Sequence, residues 1–348
     1  MSETGCYICG DRPVMRRCES GQLNCKYCFL SAFEEEVHEY ITSYKMFSPG
    51  EVVAIGISGG KDSSVLLNVM YELNKRKEYG LDLRLVAIDE GIKGYRDDAL
   101  KVVNFQKDYY DLPLTILQFQ DLFGTTMDDI RLKAGKSNSC TFCGVFRRRS
   151  LDVGGNLSGA DKLCTGHNAD DAAETVLLNI LRGDLNRLQR CTNPITSTEI
   201  KQSQDNEVVM GLGTLRSIPR VKPLMYCFEK EIVLYAYYSN LRYFSTECKY
   251  SVDAYRGFAR EFIRQIEGIK CKYVTNFIRA AENFNIAAIN RDKSSTNENK
   301  NNLPRIYAQQ VVQRCTLCGY MSSARVCKGC LLLETLRTNN SKITFKSG

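Results

Sequence analysis

Cys6, Cys9, Cys25 and Cys28 stand as CxxC, fifteen residues, CxxC, and Cys315, Cys318, Cys327 and Cys330 as CxxC, eight residues, CxxC. Four thiolates at such spacings suit a closed tetrahedral zinc site, so two zinc ions are expected, one at each end of the chain. Gly319 sits where the shorter knuckle needs a tight turn. The interior pair Cys140 and Cys143, in SCTFCGVFRRR, has no second CxxC beside it. That leaves a redox pair or an incomplete metal site. With Cys248 as a third thiolate, the set could hold an iron-sulfur cluster with one open position, suited to delivering sulfide. Cys18, Cys164, Cys191, Cys227 and Cys271 have no partner spacing, and packing is the expectation for them.

A second kind of chemistry is written in Ser58-Gly59-Gly60-Lys61-Asp62-Ser63, which follows the apolar run VVAIGI and precedes a helical pattern. Backbone N–H groups of such a turn can cradle phosphate oxygens, and Lys61 adds charge. The spelling fits neither GxxxxGK[ST] nor GxGxxG. It resembles the PP-loop of the N-type ATP pyrophosphatases, which cleave ATP between the α and β phosphates. Gly166-His167-Asn168-Ala169-Asp170-Asp171 occupies a second strand end opening a helix, the place where α/β sheets hold ligands. Asp170 and Asp171 could bind magnesium and help pyrophosphate depart, or one could serve only as the N-terminal charge of its helix. Asp89, at the end of another strand, is expected to point into the same crevice. His167 is expected to shape the loop, and His38, within EEEVHEYI, to be solvated.

These residues need a scaffold. Strand patterns at 52–57, 81–89, 112–119 and 162–166 alternate with helical ones at 64–77, 95–110 and 169–181, which predicts an α/β, doubly wound parallel sheet. Further helices are expected at 229–240 and 252–284. The expected layout is a zinc module and connecting helix over 1–47, a catalytic domain over 48–285, a polar linker over 286–310 and a second zinc module over 311–348. Polar residues 192–207 read as a surface insertion, of no legible role, and NRDKSSTNENKNN as low-complexity tether.

The length of 348 residues allows one substantial core with small satellites. No apolar run approaches the roughly 20 residues of a membrane span, and MSETGCYICG lacks the apolar segment of a signal peptide, so an intracellular protein with no membrane partner is expected. The net charge of +7 would help attract a polyanion, without reaching the strongly basic balance of a dedicated nucleic-acid domain. Arg256, Arg260 and Arg264 recur on one helix face opposite Tyr255, Phe258 and Phe262, and Arg148 and Arg149 follow Arg147 in a second cluster. Each is either a solvated face or a phosphate-binding stripe.

The order of CxxC…CxxCF, SGGKDS, DEGIKGYRDD, CTFCGVFRRR, TGHNADDAAETVLLNILRGD, IPRVKPL, YFSTECKYSVDAYRG and a terminal CxxC…CxxC closely resembles the eukaryotic cytoplasmic tRNA-thiolating enzymes of the tRNA 2-thiocytidine/2-thiouridine biosynthesis family. The likeness covers nearly the whole chain. It implies a cytoplasmic enzyme that uses ATP and magnesium to adenylate the wobble uridine of cytosolic tRNAs and then inserts sulfur at carbon 2. It also implies that Cys140, Cys143 and Cys248 match three cysteines that hold a 4Fe-4S cluster in prokaryotic relatives. Sulfur would come from the thiocarboxylate of a ubiquitin-related modifier, and a second thiolation subunit would assist. Arg147 stands where those relatives carry lysine; an arginine can stabilise phosphate charge but cannot shuttle a proton. The spacing alone also admits a PP-loop ligase of the lysidine synthetase kind, which would need no interior thiolates, and a zinc-ribbon scaffold, which would need neither nucleotide loop.

Overall fold

The computed structural model describes residues 5–135, 139–196, 216, 218–246, 248, 250, 255–294 and 313–338. The first cysteine module is a two-stranded antiparallel ribbon, β1 (Met15–Arg16) and β2 (Leu23–Asn24), followed by α1 (Lys26–Ser43). Phe29, Phe33, Val37 and Ile41 recur along one side of α1 and are buried there, the stripe an amphipathic helix needs to dock on a sheet.

The central unit runs β3 (Val52–Ile57), α2 (Lys61–Arg76), β4 (Asp82–Asp89), α3 (Arg96–Tyr110), β5 (Leu114–Gln118), α4 (Phe119–Phe123), α5 (Met127–Ala134), α6 (Ser139–Leu157), β6 (Lys162–Cys164), α7 (Ala169–Arg182) and α8 (Leu185–Cys191). It continues with β7 (Ile195–Thr196), β8 (Arg220–Val221), α9 (Glu229–Tyr238), α10 (Arg256–Ile269) and α11 (Lys272–Ser294). A second ribbon, β9 (Gln313–Arg314) with β10 (Met321–Ser322), precedes α12 (Lys328–Arg337).

Six strands form one sheet in the order β5-β4-β3-β6-β8-β7, parallel except for β7 at the edge. The order reverses direction between β3 and β6, so the carboxyl ends of these two strands open the crevice where doubly wound sheets bind ligands. Along β3, Val53, Ile55 and Ile57 enter the core shared with α1, α2 and α9, while Ala54 joins Val86, Leu163 and Ile218 on the opposite face. On that face a Cβ at Gly154 of α6 would meet Val86 Cγ1 at 2.5 Å. Only a glycine lets α6 lie so close to the sheet.

Two expectations change. Ile195 and Thr196, read as part of a surface insertion, pair with Val221 and Arg220 and close the sheet; a two-residue strand carries too little periodicity to register in a sequence. The rest of that stretch, 197–207, lies outside the described residues. The expected helix over 252–284 breaks at Lys270, whose backbone is extended, and α11 then runs to Ser294, into the expected linker. No glycine or proline lies between Lys272 and Ser294 to stop it. Among the described residues no helix is long and apolar enough to cross a membrane.

Candidate active site

Gly59 follows β3 with φ +75°, and a Cβ there would meet the Ala99 carbonyl oxygen at 2.8 Å, so both conformation and space demand glycine. Ser58 and Ser63 brace the turn: Gly60 N donates to Ser58 Oγ at 3.3 Å, Ser58 N to Ser63 Oγ at 3.2 Å, and Ser63 Oγ to the Gly60 carbonyl at 2.9 Å. Gly60 caps α2 in an extended conformation with no side chain over the helix end. The N–H groups that begin α2 are therefore presented to an incoming anion.

The second loop converges on the first. A Cβ at Gly166 would lie 3.0 Å from the Asp62 carbonyl, and Asn168 Nδ2 donates to Asp62 Oδ1 at 3.0 Å. Asn168 also caps α7, its Oδ1 accepting from Asp171 N at 2.9 Å. Lys61 Nζ reaches Glu229 at 2.6 Å and Asp62 at 3.4 Å. Asp170 accepts from Glu229 N at 2.7 Å. Burial raises Asp62, Asp170 and Asp171 from their ordinary value, Asp170 to about 7, with neighbouring carboxylates reinforcing the shift and Lys61 and Arg256 opposing it at Asp62 and Asp171. Carboxylates so crowded and desolvated would be relieved by a divalent cation.

His167 lies deep within the crevice yet opens to solvent. The surrounding protein, with Lys222, Arg256, Arg148 and Arg220 nearby, lowers its pKa to about 3. The imidazole is thus neutral at physiological pH, in keeping with a shaping role. Lys222 and Arg148 have no carboxylate partner among the described residues; Lys222 donates to the carbonyls of Cys191 and Asn193 at 2.8 and 2.9 Å, and burial together with Arg148 lowers it to about 8. Sequence reading missed Lys222 as a site residue, although IPRVKPL ends a strand at this wall.

Several expected side chains are occupied otherwise. Asp89 accepts from Gly91 N at 2.8 Å and pairs with Arg96 at 2.7 Å, so it braces its loop; its neighbour Glu90 pairs with Arg147 at 2.7 Å. Arg149 is buried between Phe123 and Tyr320, 5.7 and 5.4 Å from their ring centres, beneath the second cysteine module. Arg256 bonds Asp171 at 3.0 Å and Glu174 at 2.5 Å, and Arg260 bonds Glu174 at 2.9 Å. Arg256 and Arg260 thus face α7, and the aromatics Tyr255, Phe258 and Phe262 are exposed. A buried glutamate on the neighbouring helix outcompetes solvent for these guanidiniums, which helix periodicity cannot reveal. Arg264 lies near Glu229, at the edge of the nucleotide loop.

Within each terminal quartet the four sulfurs lie within 4.8 Å of one another. Cys9 to Cys25, Cys318 to Cys327 and Cys315 to Cys330 measure 3.6, 3.5 and 3.9 Å, close to the ~3.8 Å edge of a tetrahedral zinc-thiolate site. Backbone N–H groups of Cys327 and Cys330 donate to the sulfurs of Cys315 and Cys327, as thiolates require. Cys140 and Cys143 lie one turn apart at the start of α6, Cys140 Sγ 3.6 Å from the Tyr250 carbonyl. Burial raises the Cys143 thiol to about 11, with Glu90, Cys248 and Cys140 adding to the shift and Arg147 opposing it. Unlike the terminal quartets, Cys140, Cys143 and Cys248 do not have all their sulfurs within 4.8 Å of one another.

Residues 30–267 match the PP-loop domain family and residues 313–344 a zinc-ribbon family. The cytoplasmic tRNA 2-thiolation protein 1 of Malassezia globosa is 47% identical over 98% of this chain and 90% of its own length. The Xenopus laevis and Arabidopsis thaliana proteins of that name are each 48% identical, over 97% of this chain and 90% and 86% of theirs. Among solved structures, the U34-tRNA thiolase NcsA from Methanococcus maripaludis with its [4Fe-4S] cluster matches with TM-score 0.74 and 26% identity, over 97% of each chain. The converging strand-end loops, the interior thiols and these likenesses agree: the chain belongs to the PP-loop family of cytoplasmic tRNA 2-thiolation enzymes.

Proposed function

We propose that this tRNA 2-thiolation enzyme activates the C2 oxygen of the wobble uridine with ATP and magnesium, and that the reaction occupies the crevice between the carboxyl ends of β3 and β6. The Asn168–Asp62 bridge between the two glycine loops carries this reading. The amides opening α2 would receive phosphate oxygens, with Lys61 exchanging its carboxylate partners for them. Asp170 and Asp171 would hold magnesium. The uridine oxygen attacks the α-phosphorus and the bond to the β-phosphate oxygen breaks, releasing pyrophosphate. A sulfur nucleophile then adds at C2, and the C2–O bond breaks with AMP as the leaving group.

Lys222 and Arg148 supply positive charge beside His167 and Arg147 supplies it beside Cys143, to offset the negative charge that builds on the departing phosphates. Arg147 stays protonated beside Cys143 and Glu90, so its role is electrostatic. Cys140, Cys143 and Cys248 would hold a 4Fe-4S cluster, whose unligated position could carry the incoming sulfide. The two quartets would each hold zinc. Family resemblance supports a cytoplasmic setting, a second thiolation subunit and a ubiquitin-related modifier as sulfur donor; the division we adopt is 1–47, 48–285 and 311–348, with α11 carrying the middle unit into the 286–310 stretch as far as Ser294.

The test is product analysis. With tRNA present, ATP should yield AMP and pyrophosphate, and Lys61→Ala or Asp62→Ala should abolish this while circular dichroism stays unchanged. ADP and orthophosphate as primary products would refute the proposal.

A further inference from the structure

Cys18 and Cys271 are 253 positions apart, and neither has a neighbouring cysteine at ligand spacing. Packing is what the sequence alone suggests for both. The fold instead brings the Cys18 turn of the first module against the corner between α10 and α11, where Cys271 lies, and against the last turn of α10, which carries Glu267. The two sulfurs and a carboxylate oxygen of Glu267 all lie within 4.8 Å of one another.

Glu267 makes this more than a chance meeting of thiols. It is 5% exposed. Lys230 pairs with its Oε2 at 3.0 Å, but its Oε1 is buried with no hydrogen-bond donor. The other donors nearby are committed elsewhere: Cys18 N and Arg17 Nε both give to Glu231, at 2.8 and 2.9 Å, and the Cys18 and Cys271 thiols are hydrogen-bonded to each other. A buried carboxylate oxygen left without a donor costs free energy, and the apolar surroundings of Val274 and Ile278 offer no remedy. A cation between Glu267 and the two sulfurs would satisfy it.

We infer that Cys18, Glu267 and Cys271 form a third metal site, taking a divalent thiophilic cation of the zinc class. Two thiolates exclude magnesium and calcium, and a set of two thiolates and one carboxylate suits zinc with a fourth position left to water or an exogenous thiol. Gathering ligands from within 4.8 Å to the ~3.5–3.8 Å separations of a tetrahedral shell needs shifts of about 1 Å. The ion would staple the first module to the α10–α11 corner. Glu19, next to Cys18, already bonds Thr275 and Arg279 of α11 at 3.0 Å. Because α10 also grips Glu174 and Asp171 of α7, the staple would stiffen the support of the second nucleotide loop.

The experiment compares the full-length protein with its Cys271→Ser and Glu267→Gln variants, each reconstituted anaerobically with Zn2+ alone and desalted, with zinc and iron counted by mass spectrometry. Both substitutions lie outside the terminal modules, and circular dichroism confirms folding. The expected result is one zinc per chain fewer in Cys271→Ser than in the parent, whatever the occupancy of the terminal quartets, and at least tenfold weaker zinc retention in Glu267→Gln. Equal zinc counts in parent and Cys271→Ser would overturn the site. So would a Cys18–Cys271 disulfide in protein kept under reductant, which would make the pair a crosslink.

Discussion

Asn168 is bonded to both halves of the crevice at once: its Nδ2 donates to Asp62 Oδ1 at 3.0 Å while its Oδ1 accepts from Asp171 N at 2.9 Å. One side chain therefore caps α7 and fixes the distance between two loops that come from strands on either side of the sheet's reversal point. Asn168→Ala should lose about 1 kcal/mol of stability as a missing cap and raise the KM for ATP about tenfold. Asn168→Asp keeps the cap but sets a buried carboxylate against Asp62, so it should lose stability through repulsion and lose ATP affinity although the cap survives. Calorimetry beside steady-state kinetics separates the two effects; an Asn168→Asp enzyme with parental KM would show that the bridge does not position nucleotide.

The arginines divide by what they touch. Glu174, 3% exposed at its side chain, holds Arg256 and Arg260, so Arg256→Gln or Arg260→Gln should lower stability by about 1–2 kcal/mol, the range of charge-assisted hydrogen bonds to a buried partner. The salt dependence of tRNA binding should barely move. Arg148→Gln should do the reverse, flattening the slope of log Kobs against log salt by roughly one unit. Binding titrations at several salt concentrations check both halves.

How much of this was legible in the sequence depends on the range of the interaction. The glycine loops and cysteine quartets were readable because their chemistry is local: φ, close approach and ligand spacing are set within a few residues. The strands β3 to β6 were readable from continuous apolar runs. The direction in which Arg256 and Arg149 point was not, because Glu174 and Tyr320 are brought to them only by the fold. The partners of Asp89 were hidden for the same reason, since Arg96 reaches it only through the fold. The meeting of Cys18 with Cys271 is a tertiary fact with no trace in either segment.

His167 gives a signed prediction. Its folded pKa of about 3 lies below the ordinary value of 6.5, through the surrounding crevice walls and the cations around it, an effect that its solvent-exposed side screens and keeps small in stability. The unfolded chain therefore binds a proton that the folded chain refuses between pH 6.5 and 3. The stability from a neutral His167 is fully present above 6.5 and declines as pH falls toward 3. His167→Gln should flatten this decline in denaturant titrations. The rate of ATP cleavage should show no limb near pH 6.5 that the substitution removes; such a limb would give His167 an acid-base role.

The second cysteine module buttresses the helix that carries the interior thiols. Arg149 of α6 is held between Phe123 and Tyr320, its Nη1 is 3.3 Å from where a Cβ on Gly329 would stand, and the Tyr320 hydroxyl bonds Asp152. Leu332 of α12 enters the same cluster as Phe142 and Phe146, against which Cys143 and Cys248 pack. Metal in this module is thus coupled to the surroundings of Cys143, although neither cysteine set shares a ligand with the other. Cys327→Ser should lose one zinc and let the module undock, since such modules fold only with their metal. Alkylation of Cys143 should then accelerate at least tenfold, because burial is what holds its thiol up at about 11, and tRNA thiolation should fall while ATP binding persists. Arg149→Met keeps all four ligands but removes the cationic contact, so it should accelerate alkylation partially with zinc unchanged. Peptide mapping after timed alkylation reads this directly. Parental labelling rates at Cys143 in both variants would mean that the module is tethered to α6 without supporting it.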